Sequence, residues 1–175
     1  MIMNSSRVRL AEQKILGRPE LCEAVANAKA QGLTVVSTNG CFDILHIGHV
    51  RYLQSARRLG DLLVVGINCD DSVRRLKGPE RPIVPENERA EILAALECVD
   101  YLTIFTEDTP IELIKAMKPT IHVKGGDYSD PDGLIESEAV RSVGGKVAIV
   151  SFTSTETQGW SSTNLIGRII EIHRG

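Results

Sequence analysis

Residues 38–49 read Thr38-Asn39-Gly40-Cys41-Phe42-Asp43-Ile44-Leu45-His46-Ile47-Gly48-His49, and the rest of the chain is arranged around them. Upstream, Leu33-Thr34-Val35-Val36-Ser37 is a short β-branched run that reads as a buried strand. Downstream, Val50, Leu53, Ala56 and Leu59 recur at helical spacing until Gly60 stops them. A strand therefore runs through a glycine-containing turn into a helix that opens at two histidines. Amides at a helix start are unpaired and lie at the positive end of the macrodipole, which suits an anion. Gly48 has no Cβ and would let a phosphate approach the backbone. His46 and His49, at i and i+3, share a face and can reach the same phosphate. Imidazoles can donate hydrogen bonds or positive charge to oxygens that gain charge during a reaction. The competing reading is a plain strand–turn–helix with one packed and one solvent-facing histidine. The upstream strand, Gly40 and the helix-start placement favour phosphate binding.

Length and composition bound the alternatives. A chain of 175 residues, 42% hydrophobic and 25% charged, suits one soluble domain with a substantial core. We expect a single domain over 1–175, with an N-terminal segment and helix in 1–32 and a core in 33–175. A formal net charge of −3 gives no polyelectrolyte drive toward nucleic acid or an anionic membrane, so neither is an expected partner. Cys22, Cys41, Cys69 and Cys98 lack C-x-x-C spacing, which fits reduced thiols better than zinc or disulfides. The start of the chain has no apolar signal core, and no run is long enough to span a bilayer. The expected location is the cytoplasm.

Along the chain, Pro19 opens a helix that ends near Gly32. Leu62-Leu63-Val64-Val65-Gly66-Ile67 is a continuous apolar run, the pattern of a strand covered on both faces. A short helical turn over Ser72–Leu76 precedes Lys77-Gly78-Pro79-Glu80-Arg81-Pro82-Ile83-Val84-Pro85, too proline-rich for regular structure and long enough to be a mobile loop beside a site. Glu86 to Leu96 reads as a helix with Ile92, Leu93 and Leu96 inward. Further strands are expected at Tyr101–Phe105, Thr120–Lys124 and Lys146–Val150. Further helices are expected from Thr109-Pro110 to Met117, from Leu134 to Val143, and from Ser161 to His173, the last with Leu165, Ile166, Ile169 and Ile170 apolar. Alternating strands and helices predict an α/β, Rossmann-like, doubly wound parallel sheet. Ligands of such sheets sit beyond the strands' carboxyl ends, where both Gly40–His49 and Lys124–Tyr128 fall.

There is no G-x-G-x-x-G turn and no G-x-x-x-x-G-K-[ST] loop, which disfavours a nicotinamide enzyme and a P-loop kinase. What remains is histidines at a helix start, loop cations, and the cluster Ser161-Ser162-Thr163 opening the last helix. These are parts for direct displacement at phosphorus. Lys77 would neutralise outer phosphates, and Arg89 would help or stand on a solvated face. Asp43 would brace the turn or meet a metal through water. His122 and His173 read as structural or solvent-facing, and Trp160 is left unassigned.

Gly40-Cys41-Phe42-Asp43 with His46-Ile47-Gly48-His49 resembles the nucleotidylyltransferase superfamily of cytidylyl- and adenylyltransferases. Together with Lys124-Gly125-Gly126-Asp127-Tyr128, the stretch is most similar to the heptose 1-phosphate adenylyltransferases, which make ADP-heptose for bacterial surface glycans such as the lipopolysaccharide core. The resemblance runs from about Gly32 onward. It implies five strands in the order 3-2-1-4-5 and transfer of AMP from ATP to a sugar 1-phosphate, releasing pyrophosphate. It implies His46 and His49 on the α-phosphate, assisted by Lys77. Asn39, Gly40, Cys41, Phe42, Gly48, Arg89, Gly125, Asp127, Ser161, Ser162 and Thr163 would hold the nucleotide, and Asp43, Lys77 and Lys124 the acceptor. Mg²⁺ is implied, bound mainly through ATP phosphates. In many bacteria this domain is the second half of a bifunctional kinase/adenylyltransferase. No kinase half is seen here, so a separate sugar kinase would act upstream. A homo-oligomer is implied by relatives. The basic residue that some members of the superfamily place just after the serine/threonine motif is missing, and Arg168 comes later. Glycerol-3-phosphate cytidylyltransferase and FMN adenylyltransferase are alternatives in the same chemistry, and a nucleotide-sensing module without turnover is the non-enzyme alternative.

Overall fold

The structure is a computed structural model that describes residues 9–126, 130–150 and 161–173. Five strands form one sheet: β1 (Val35–Gly40), β2 (Leu62–Asn68), β3 (Tyr101–Phe105), β4 (Ile121–Gly125) and β5 (Lys146–Val150). All pairings are parallel, in the order β3-β2-β1-β4-β5, as the resemblance implied. Among the described residues, seven α-helices accompany them: α1 (Arg18–Ala30), α2 (Ile47–Arg57), α3 (Asp70–Lys77), α4 (Glu86–Ala94), α5 (Ile111–Met117), α6 (Ser137–Ser142) and α7 (Ser162–His173).

The continuous apolar runs make sense once both faces are covered. Successive strand residues point to opposite faces, so Val36, Leu63 and Val65 pack with Leu53 and Ala56 of α2 and Leu93 of α4. Val35 and Val64 point the other way, to Leu21 and Val25 of α1, Ile114 of α5 and Val140 of α6. Gly66 sits where α5 crosses closely: a Cβ there would meet Leu113 Cδ2 at 2.8 Å. β1 lies at the centre, with β2 on one side and β4 on the other. The chain order reverses between β1 and β4, and the crevice at their carboxyl ends is where ligands bind in this class of sheet.

Two local expectations are corrected. Ile92 is 44% exposed, because the buried stripe of α4 is Arg89, Ala90, Leu93 and Ala94. The helix expected from Leu134 begins only at Ser137: a 3₁₀ turn over Pro131–Gly133 comes first, and buried Glu136 caps α6. It stops at Gly144, whose φ of +79° suits a residue without Cβ. No residue of α7 is buried among the described residues, and Ile169 is 52% exposed, so its apolar stripe does not join the core. Among the described residues, no helix is long and apolar enough to cross a membrane.

Candidate active site

The carboxyl ends of β1 and β4 border a cavity of about 820 Å³. Asn39, Gly40, Cys41, Phe42, Asp43, His46, Gly48 and His49 line it from the turn between β1 and α2. Lys77 lines it from the end of α3, Lys124 and Gly125 from β4, and Ser161, Ser162 and Thr163 from the start of α7. The fold thus brings together residues more than a hundred positions apart in the chain. Asp127 and Trp160 lie outside the described residues.

The turn is held by its own side chains. Phe42 takes a left-handed φ of 46°, and its ring is buried edge-on against His49, centroids 5.1 Å apart. His46 caps α2 in extended conformation, and its carbonyl accepts from the amides of His49 (2.9 Å) and Val50 (3.2 Å). The rings of His46 and His49 stack with centroids 3.7 Å apart. Each Nδ1 is buried and has no hydrogen-bond partner among the described residues. Burial, then the neighbouring His46 ring, holds His49 down to about 4. Burial also lowers His46. Both imidazoles are therefore neutral near pH 7, offering N–H donors rather than fixed charge. His49 also has a hydrogen bond with the Ile44 backbone, which works against the lowering.

Opposite, Ser161 Oγ accepts from the Asn164 amide at 3.1 Å and caps α7, while Ser162 Oγ donates to the Ile44 carbonyl at 3.4 Å. Two helix N-termini, those of α2 and α7, thus open onto the same cavity. Lys77 ends α3 rather than lying in the following loop, and its exposed ammonium pairs with no carboxylate among the described residues. Lys124 Nζ reaches Asn39 Oδ1 at 3.2 Å and Glu136 Oε1 at 2.5 Å.

Arg89 and Asp43 are both engaged by the protein itself. Arg89 does not line the cavity, and its side chain is fully buried. Its guanidinium donates to the carbonyls of Cys41 (2.6 Å), Val84 (2.9 Å) and Asn68 (2.9 Å) and to Asp70 Oδ1 (2.7 Å), so four of its five N–H groups serve the protein itself. Asp43 borders the cavity, yet Oδ1 accepts from the amides of Ile83 (2.7 Å) and Val84 (2.9 Å), and Oδ2 takes Arg81. Burial works against its charge, but those amides and the guanidinium prevail and hold its carboxyl below the usual range. The loop over 78–85 is therefore latched to the turn.

Tyr52 was missed in the sequence reading. Its OH pairs with Thr38 Oγ1 (2.6 Å) and donates to the Val123 carbonyl (2.9 Å), tying α2, β1 and β4 together under the site. Its place three residues after His49 was the available signal. Glu136, from a segment read as helix interior, gave none.

Residues 37–168 match the cytidylyltransferase-like family model. The chain belongs to that family. Within the cytidylyltransferase-like family it is 53% identical over 163 residues to bifunctional protein HldE of Trichlorobacter lovleyi and 56% identical over 161 residues to that of Pelobacter propionicus. These alignments take in 93% and 92% of this chain but only 32% of each relative, so the chain spans about a third of their length. Among solved structures it resembles the lipopolysaccharide core biosynthesis protein from Thermoplasma volcanium (TM-score 0.59, 31% identity, 70% of this chain and 98% of that one). The pantoate-β-alanine ligase of Francisella tularensis shares the fold at TM-score 0.56 and 15% identity, over 92% of this chain and 79% of that one.

Proposed function

We propose that the chain is an adenylyltransferase that transfers AMP from ATP to heptose 1-phosphate, giving ADP-heptose and pyrophosphate for a bacterial surface glycan. The observation that carries this reading is the stacked His46–His49 pair at the start of α2, lining one cavity with the capped start of α7. The similarity to bifunctional HldE proteins and to a lipopolysaccharide core biosynthesis protein supports the choice of acceptor.

In this reading the α-phosphate sits on the α2 amides and the two imidazoles. An oxygen of the sugar phosphate forms a bond to Pα, the bond from Pα to the bridging oxygen breaks, and its electron pair leaves on pyrophosphate. Imidazole N–H groups donate to the oxygens that gain charge at Pα, an electrostatic contribution that needs no covalent intermediate. Lys77 and the α7 start receive the departing phosphates, and Lys124 holds the acceptor phosphate. Mg²⁺ carried by the triphosphate would supply further charge neutralisation. The donor set suits a metal held by phosphate oxygens, since the acids that line the cavity among the described residues are engaged: Asp43 by the loop amides, Asp108 by Arg75 and Glu136 by Lys124. With ATP as donor the reaction belongs in the cytoplasm, and a sugar kinase must supply the acceptor.

The test is pyrophosphate release from the pure chain with ATP, Mg²⁺ and heptose 1-phosphate, beside a panel of ATP or CTP with glycerol 3-phosphate and FMN. Turnover confined to ATP with the heptose phosphate is expected. Faster turnover of another pair would reassign the acceptor, and ligand-dependent thermal stabilisation without product would point to a sensing module.

A further inference from the structure

Behind Lys124 lies a chain of buried polar groups that the proposed chemistry does not use. Ser37 Oγ and His122 Nδ1 are 2.8 Å apart between the central strands. His122 Nε2 has no hydrogen-bond partner among the described residues and lies 3.9 Å from Glu136 Oε1. That same oxygen is 2.5 Å from Lys124 Nζ. The side chains of His122 and Glu136 are each 1% exposed and that of Lys124 is 21% exposed; Glu136 and Lys124 line the cavity and His122 does not.

The position of Glu136 is fixed by its backbone. It follows the 3₁₀ turn, its carbonyl accepts from the Val140 amide at 3.0 Å, and Ser137 Oγ donates to the Pro131 carbonyl at 2.5 Å. A carboxylate this deeply buried persists only when compensated by a nearby cation or donor. Burial pushes His122 to about 3, so that ring is neutral and leaves the compensation to Lys124. Burial likewise draws Lys124 down to about 8, leaving its charge a narrow margin near neutral pH. Among the described residues, the groups facing the ammonium are Asn39 from β1, the Cys41 thiol from the turn, His122 from β4 and Glu136 ahead of α6; the strand partner on β5 is apolar Ile149. An ammonium has three donors. Asn39 Oδ1 takes one at 3.2 Å, whereas Glu136 Oε1, 2.5 Å away, pairs by charge without an aligned hydrogen bond, so donors remain for an oxygen in the cavity.

We propose that Glu136 is a positioning residue: buried in the cavity wall between His122 and Lys124, it keeps the Lys124 ammonium charged and aimed at the phosphate of the acceptor. The acceptor clause rests on the proposed function; the pairing does not. Removing the carboxylate removes the charge that stabilises the protonated amine, so the lysine should lose its proton at lower pH.

The test uses the full chain with its lysines reductively methylated with ¹³C, which preserves their charge, and reads the methyl resonance assigned by Lys124→Arg. Lys124 should titrate near 8 in the native chain, about one unit or more lower in Glu136→Gln, and between the two in Glu136→Asp. At pH 7.5, Glu136→Gln should raise KM for heptose 1-phosphate about tenfold while KM for ATP changes less than about twofold. A Lys124 titration unmoved in both variants overturns the proposal. So does an equal rise of both KM values together with a lowered Tm, the mark of a merely structural role. A shifted titration with no turnover of any sugar phosphate would uphold the Glu136–Lys124 pairing and refute the proposed function instead.

Discussion

The imidazoles of His46 and His49 lie face to face, centroids 3.7 Å apart and planes 23° from parallel. The spacing follows from the helix: i and i+3 side chains of a first turn are neighbours, and Phe42 closes one edge of the pair. Two positive charges at that separation would repel, and burial already disfavours the first. The pair is therefore a set of neutral N–H donors that becomes favourable to charge only when an anion settles on it.

Replacing His49 by Ala should lower kcat by about 10²–10³-fold, the usual loss for one donor to a developing oxyanion. KM for ATP should change less than about threefold, because the contact strengthens as charge builds at Pα. Steady-state pyrophosphate release checks both constants. An equal loss in binding and turnover would make His49 a ground-state ligand only.

Stability should fall on mild acidification. His122 is held at about 3 and His49 at about 4, whereas the unfolded chain binds these protons near the ordinary value of 6.5. Between those limits the unfolded state carries more protons, so stability is complete above pH of about 6.5 and declines as pH drops toward 4. For fully buried His122 the slope should approach about 1.4 kcal/mol per pH unit. Urea unfolding at several pH values measures it, and His122→Gln should flatten the dependence. A midpoint constant across this window would contradict the assignment of a buried neutral imidazole.

Arg89 tests the difference between a ligand and a brace. Its guanidinium joins the turn, the end of β2, the loop and Asp70 through four acceptors while itself buried. Arg89→Ala should destabilise the fold by about 3–5 kcal/mol, because Asp70 loses its partner and three carbonyls their donors. Lysine cannot reproduce the fork, so Arg89→Lys should also lower the urea midpoint. Retained stability with weakened ATP binding would return Arg89 to the phosphate site.

Arg89 and Asp43 also show where sequence reading stops. The strands were legible because a sheet covered on both faces needs unbroken apolar runs, and Leu62–Ile67 can do little else. His46 and His49 were legible because three-residue spacing at a helix start is a local fact. The work of Arg89 depends on acceptors 5 to 48 positions away, and no local pattern announces them. Glu136 was hidden for the same reason: its partners His122 and Lys124 come from another strand, and its own segment was read as helix. The apolar stripe of α7 was legible, but not that it stays outside the core.

Asp43 makes a latch whose release can be watched. Its carboxylate accepts from the Ile83 and Val84 amides and pairs with Arg81, binding the loop over 78–85 to the turn that bears the histidines. Hydrogen bonds to a charged acceptor contribute about 1.5–3 kcal/mol each, so losing them should raise the open population of the loop at least about tenfold. Trypsin reports this directly, since Lys77 is exposed and followed by Gly78. Asp43→Ala should speed cleavage after Lys77 by about tenfold or more. Asp43→Asn keeps an acceptor for the two amides and loses only the ion pair, so it should lie between Asp43→Ala and the native chain. If cleavage rates match across all three while kcat falls, Asp43 acts on the ligand and not on the loop.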